Sequence, residues 1–301
     1  MKAKPLIAAL ELGGTKCVAV LGSGPDDIRS ETRIPTEDPL QTLDVLDGVL
    51  RRWRDRHRFD AVGLSSFGPL DLDPTSPTHG QVVNTPKPGW SGVDILGRAR
   101  RWGVPVGFDT DVNAAAWAEH RWGAAQGLDS FIYITLGTGL GVGTIVDGRT
   151  VKGLWHSEAG HMRVPRLPGA AWPGHCPFHG DCVEGLASGA AIQALAGFPA
   201  EQLTRTDPVW DEVVHAMAGL LHNLVLAAMP QRILIGGGVA LGQPHLWPRV
   251  RARLSDSLAG YLTSPQLAGA WDEFIAAPAL GHRAGPLGAV ALGLRALEGA
   301  N

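Results

Sequence analysis
The sequence predicts an α/β protein of two similar halves facing one cleft, with a metal-pinned loop in the second half. Three observations carry this. First, a short apolar strand runs into a Gly-rich turn and returns as a second strand at Leu6 to Leu21, and the same device recurs at Ser130 to Val146, about 125 residues later. Second, short β-branched runs alternate with longer segments whose apolar residues recur every three or four positions, as when strands alternate with helices. Third, two of the chain's three cysteines fall between Gly153 and Gly189 together with His156, His161, His175 and His179.

In the first half, Pro5 to Leu12 reads as a strand that ends at Gly13-Gly14-Thr15-Lys16, and Cys17 to Leu21 is its return strand. Such a turn offers backbone N–H groups to an anion, and Thr15 adds a hydroxyl; a plain β-turn has the same sequence. Gln41 to Arg54 carries Leu43, Leu46, Leu50 and Trp53 at helical spacing. The arginines that follow, Arg51 to Arg58, suit a solvated helix C-terminus better than a nucleic-acid patch. Phe59 to Ser66 is a buried strand. The long segment Asp71 to Gly92 holds Asn84-Thr85-Pro86-Lys87-Pro88-Gly89-Trp90, a fixed loop that is either plain surface or a substrate wall with Asn84 as a polar contact. Val104 to Phe108 is a strand, and Ala114 to Arg121 a helix. Between them lie Asp109-Thr110-Asp111-Val112-Asn113, at a strand end where α/β sheets place chemistry. These residue types also cap helices, so Asp109 and Asp111 divide between the two tasks.

In the second half, Ser130 to Leu136 is a strand running into Gly137-Thr138-Gly139-Leu140-Gly141, and Val142 to Val146 returns to the turn Asp147-Gly148. Two equivalent Gly-rich turns, one per half, suit backbone amides aimed at a polyphosphate. Asp207 to Met229 is a long amphipathic helix. Arg232 to Ile235 is a strand opening into Gly236-Gly237-Gly238, which leaves room for a flat group such as an adenosine. Trp247 to Tyr261 and Gly285 to Glu298 are helices.

Composition excludes several classes. The 301 residues are 45% apolar and 18% charged with net charge −3, an ordinary globular balance that favours neither nucleic acid nor membrane. No span reaches transmembrane length, and the N-terminal apolar run is broken by Glu11. Cys17 lies in an apolar run as a buried small residue. No disulfide framework is present, which predicts a reducing, cytoplasmic setting. The 40 glycines cluster in turns where backbone approaches a ligand.

Thiolates and imidazoles at the spacing Cys176-x-x-His179-x-x-Cys182, with His161 fifteen residues earlier, suit tetrahedral zinc. His156 and His175 are rival ligands by composition alone. Four protein ligands leave no position for water, so the zinc would be structural. Glu158 and Glu184 flank the set.

The ordered set ELGGTK, NTPKPGW, FDTDVNAAA, LGTGLG, HSEAGH, CPFHGDCVEGLASG, LIGGG and AGPLGAVALG resembles the sugar kinases of the ROK family, within the actin-like ATPases, over nearly the whole chain. The resemblance implies two RNase H-like domains, with residues 1–116 completed by helix 285–301 as the first and 117–284, carrying zinc loop 153–189, as the second. It implies Asp111 as general base, and Glu158, His161 and Glu184 as sugar contacts, with Asn84 and Thr110 beside them. It implies zinc on His161, Cys176, His179 and Cys182, leaving His156 and His175 without metal. ATP and Mg²⁺ would be held by Glu11, Gly13, Gly14, Thr15, Lys16, Gly137, Thr138, Gly139 and Gly236 to Gly238. Glu11 and Thr110 stand where glucokinase-like members generally have Asp and Asn, one metal ligand is His where many members have Cys, and the NTPKPGW loop is present. These variants look like the bacterial fructokinases of the family. They imply phosphorylation of D-fructose, with a broader mannokinase or glucokinase as the alternative; the family resemblance implies a homodimer. The family's repressors carry a helix-turn-helix ahead of the GGTK region, for which the sequence before Glu11 leaves no room. A catalytically dead sugar sensor would not need both Gly-rich turns and Asp111.

Overall fold
The structure is a computed structural model that describes residues 4–264, 267 and 269–299. The ends of the expected first domain, residues 1–3 and 300–301, lie outside them. The chain divides into two compact units. The first holds the chain up to Gln126, the short segment Lys152–His156, and the chain from Arg283 onward; the second holds Gly127–Val151 and Ser157–His282.

In the first unit, β1 (Ile7–Leu12), β2 (Lys16–Gly24), β3 (Asp27–Pro35), β4 (Ala61–Ser66) and β5 (Val106–Thr110) form one sheet in the order β3-β2-β1-β4-β5. β1 pairs antiparallel with β2 and parallel with β4, and β4 pairs parallel with β5. Both faces of β1 are covered, so Ile7 to Leu10 are continuously apolar rather than alternating. Ala8, Leu10 and Leu12 pack with Leu43, Leu46, Val49 and Leu50 of α1 (Pro39–Arg56), while Ile7 and Ala9 pack with Ala289, Val290 and Leu294 near the C-terminus. Asp38 caps α1 by accepting from Leu40 N and Gln41 N. The short helix α2 (Ile95–Arg100) precedes β5, and α3 (Asp111–Trp122) follows it.

The second unit repeats this plan. β6 (Phe131–Leu136), β7 (Leu140–Val146), β8 (Arg149–Thr150), β9 (Arg232–Gly236) and β10 (Ile275–Ala276) are ordered β8-β7-β6-β9-β10 when read in the same sense. β6 pairs antiparallel with β7 and parallel with β9, as β1 does with β2 and β4. The helices here are α4 (Val183–Ala187), α5 (Gly189–Ala196), α6 (Val209–Ala228), α7 (Gly238–Gly242), α8 (Leu246–Leu258) and α9 (Trp271–Phe274). α6 buries Trp210, Val213, Met217, Leu220, Leu221 and Leu224 in the core of this unit.

The last helix, α10 (Ala284–Glu298), belongs to the first unit and packs on α3 and on β1 and β4. A division after residue 116 would cut α3, which is one continuous helix; the unit instead extends to Gln126. Cys17 is fully buried, and its Sγ lies 3.3 Å from Thr36 Oγ1. No helix among the described residues is long and apolar enough to cross a membrane.

Candidate active site
The first unit gathers its polar residues where the parallel strands end. Glu11 of β1, Ser65 of β4 and Asp109 of β5 are neighbours in register, on the sheet face covered by α10. Burial, and then the charge of Asp111, pushes the Glu11 carboxyl up to about 7. The Glu11 side chain lies directly against Gly285, where a Cβ would come within 2.0 Å of its Oε1.

Thr110, rather than either aspartate, caps α3: its Oγ1 accepts from Asn113 N at 3.2 Å, and the residue is buried. Asp109 Oδ1 accepts from Thr110 N and from Asn113 Nδ2, both at 2.7 Å. Asp111, the first residue of α3, is half-buried and accepts from Val112 N at 2.8 Å. Burial pushes its carboxyl up to about 6. A carboxylate with that affinity for a proton is suited to take one from a hydroxyl near neutral pH.

The turn Gly13–Lys16 is exposed from Gly14 to Lys16. Asn84 is also exposed, on a fixed loop as expected: Trp90 is fully buried, donates from Nε1 to Glu37 O at 3.0 Å and packs edge-on against Phe67. His156 belongs to the first unit, and its Nε2 accepts from Leu70 N at 2.9 Å.

In the second unit, ligand atoms of His161, Cys176, His179 and Cys182 all lie within 4.8 Å of one another. His161 Nδ1 is 3.4 Å from Cys182 Sγ and 3.6 Å from Cys176 Sγ, and His179 Nδ1 is 3.6 Å from Cys176 Sγ. Exposed His175 is outside this set. Burial, and then the neighbouring Cys176, pushes the Cys182 thiol up to about 12. Two thiols packed together are compatible as thiolates when a cation lies among them, and two sulfurs with two imidazoles form a tetrahedral zinc donor set. Cys182 is also the N-cap of α4, which carries Glu184 in its first turn. Glu184 Oε1 lies 3.9 Å from His161 Nε2, on the opposite side of that ring from the sulfurs. Glu158 is exposed, and its carbonyl accepts from His161 N.

The second Gly-rich turn is held by α5: Gly137 O accepts from Gly189 N at 2.7 Å and Thr138 O from Ala190 N at 3.2 Å. Thr138 and Gly139 are exposed. The three glycines after β9 are less alike than the sequence implies. Gly237 has φ +92°, and a Cβ there would meet Leu136 O at 2.4 Å, so packing within the unit demands this glycine. Only at Gly238 would a side chain find open space.

Two residues escaped the sequence reading. Ser65 has a buried Oγ with no partner among the described residues, between two carboxylate-bearing strands. Lys87 Nζ donates to Gly14 O at 2.7 Å. The strand position of Ser65 before Phe67-Gly68-Pro69 was a usable signal; Lys87 gave none, because its partner lies 73 residues away.

A model of the ROK family matches residues 7–296. A fructokinase of Pediococcus pentosaceus is 36% identical over 296 residues, 98% of this chain and 100% of its own length. Among solved structures, the ROK hexokinase from Thermus thermophilus has a TM-score of 0.78 at 30% identity, over 98% of this chain and 99% of that one. A ROK family glucokinase from Streptomyces griseus, in complex with glucose and AMPPNP, has a TM-score of 0.75 at 26% identity, over 96% and 99%.

Proposed function
Because the chain belongs to the ROK family and is a sugar kinase, we propose that it transfers the γ-phosphoryl group of ATP to a primary hydroxyl of a hexose, D-fructose above others. Its two α/β units are those of the actin-like ATPase fold. The observation that carries the mechanism is the half-buried Asp111 carboxyl at the end of β5, raised to about 6.

Asp111 accepts the proton of the attacking hydroxyl, which sharpens the oxygen as a nucleophile. In-line phosphoryl transfer asks mainly for positioning and for stabilisation of charge. Of the expected cradle amides, those of Gly13 and Gly137 are taken up within their turns by Lys16 O and Gly139 O, so Gly14 and Thr15 in the first unit and Thr138 and Gly139 in the second hold phosphate oxygens. Mg²⁺, when bound, neutralises the phosphates; Glu11, a buried carboxyl beside a second one, is suited to its outer shell. Glu158, His161 and Glu184 hold sugar hydroxyls, since one carboxylate accepts two hydroxyl bonds. His161, Cys176, His179 and Cys182 would hold a zinc ion that supplies rigidity and no chemistry. Asn84 lies on the sugar side in this reading. Thr110, through its cap, fixes the direction in which Asp111 leaves the strand.

Fructose rests on the similarity to a fructokinase over 98% of the chain. The similarity to a hexokinase and to a glucokinase bound to glucose supports a second reading, a kinase that accepts several hexoses. A coupled ATP assay over fructose, mannose and glucose separates the two. Turnover with glucose and none with fructose would sink the first reading. The proposal includes a homodimer, which light scattering on the purified protein tests, and a cytoplasmic location, which cell fractionation tests.

A further inference from the structure
The turn Gly13–Lys16 has its carbonyl oxygens tied down one after another. Gly13 O accepts from Thr36 Oγ1 at 2.6 Å, Gly14 O from Lys87 Nζ at 2.7 Å, and Thr15 O from Thr36 N at 3.0 Å. A planar trans peptide sets each carbonyl opposite to the N–H of the next residue. Fixing these three oxygens therefore fixes the directions of the Gly14, Thr15 and Lys16 amides. The N–H groups of Gly14 and Thr15 have no acceptor among the described residues.

We propose that Thr36 and Lys87 are the positioning residues of the nucleotide-phosphate cradle: each grips a carbonyl of the Gly-rich turn and so aims the amide of the same peptide unit. This rests on the kinase reading above and adds two residues to it. Of the two glycines, Gly13 is held by its N–H on Lys16 O, so Gly14 is where the turn rotates most easily. Lys87 grips that carbonyl.

The loop is built to deliver the ammonium there. Lys87 N donates to Thr85 Oγ1, Thr85 N donates to Ser91 Oγ, prolines flank Lys87 on both sides, and buried Trp90 anchors the loop at Glu37 O. The Lys87 ammonium donates to Gly14 O, which sets its charge beside the turn. A lysine carries three donors, and one is used on Gly14. The second unit carries an internal control. There the turn at Gly137 is pinned by backbone amides of Gly189 and Ala190, which no substitution short of proline removes. The first turn relies on side chains for two of its three carbonyls, and it is open to mutation.

The test is calorimetric titration of MgADP and, separately, of the hexose into wild-type protein and four variants. Lys87→Met is expected to weaken MgADP about tenfold, the scale of a lost charged hydrogen bond, with hexose affinity and melting temperature unchanged. Lys87→Arg, which keeps the charge and a donor, recovers most of the loss. Thr36→Val follows Lys87→Met, and Thr36→Ser follows wild type. Unchanged MgADP affinity in Lys87→Met overturns the proposal. So does a parallel loss of MgADP affinity, hexose affinity and melting temperature, which would mark a loop that only supports the fold. If wild type phosphorylates no hexose while Lys87→Met still loses MgADP, the kinase reading falls and the clamp stands. A wild type that does not bind MgADP overturns both.

Discussion

Glu184 Oε2 accepts a hydrogen bond from Leu140 N at 3.0 Å, which joins the first turn of α4 to the strand that leaves the second Gly-rich turn. The residue before that helix is Cys182, and the ring facing the other Glu184 oxygen is His161. The proposed metal set and the proposed sugar carboxylate thus share one short stretch of backbone. A ligand imidazole whose far nitrogen faces a carboxylate is a common way to fix both groups.

Stripping metal from the four-residue set is therefore expected to lower hexose affinity about tenfold or more, the scale found when groups around a metal are lost. Elemental analysis should find zinc in stoichiometric amount in active protein. Hexose titration before and after chelation measures the effect, with Cys182→Ser as the genetic equivalent. Fully active protein that contains no zinc would refute the arrangement.

Asp111→Ala is expected to reduce turnover by about 10²–10⁴, the usual worth of a general base. Retention of a tenth or more of wild-type turnover would remove Asp111 from that role. With the carboxyl raised to about 6, turnover in the wild type should fall as pH drops below that value, because the protonated acid cannot accept a proton. A pH–rate profile flat down to pH 4.5 would contradict this.

Much of this site was legible in the sequence because it depends on spacing. The two Gly-rich turns recur at equivalent places, and Cys176, His179 and Cys182 are near neighbours in the chain. Other features depend on packing that spacing does not encode. β3 reads DIRSETRIP, an edge strand with alternate residues in water, so only Ile28 and Ile34 carry an apolar signal. The Gly237 side-chain position is filled by its own unit's backbone, which composition cannot distinguish from room left for a ligand. Lys87 and Gly14 meet only after the sheet and the 85–91 loop have formed.

The same two acids make stability depend on pH with a definite sign. Asp111 rises from 3.8 to about 6 on folding and Glu11 from 4.5 to about 7. Between about pH 4 and pH 7 the folded state then holds more protons than the unfolded one, so this pair costs stability as pH rises. Asp111→Asn removes one ionisation and relieves Glu11. It is expected to be more stable than wild type at pH 7.5 by up to ~3 kcal/mol, with the advantage shrinking toward pH 4.5. Melting temperatures at both pH values measure it. An advantage that is equal at both would show that the charge is not the cause.

Gly285 separates stability from activity most cleanly. It lies in the first turn of α10, a helix end whose free N–H groups favour a carboxylate, and Glu11 packs directly on it. The three atoms nearest a Cβ at 285 all belong to the end of the Glu11 side chain, so the side chain gives way before the fold does. Alanine is also the better helix former by about 1 kcal/mol. Gly285→Ala should therefore melt at the same temperature as wild type or slightly higher. Its turnover should fall, with a raised Mg²⁺ requirement, because the displaced Glu11 carboxylate no longer lies where the proposed function needs it. Glu11→Gln is the companion variant: it should reproduce the Mg²⁺ effect without added bulk. Turnover and Mg²⁺ titrations on both variants decide the matter. Wild-type kinetics in Gly285→Ala would mean that the position of Glu11 is not important to the reaction.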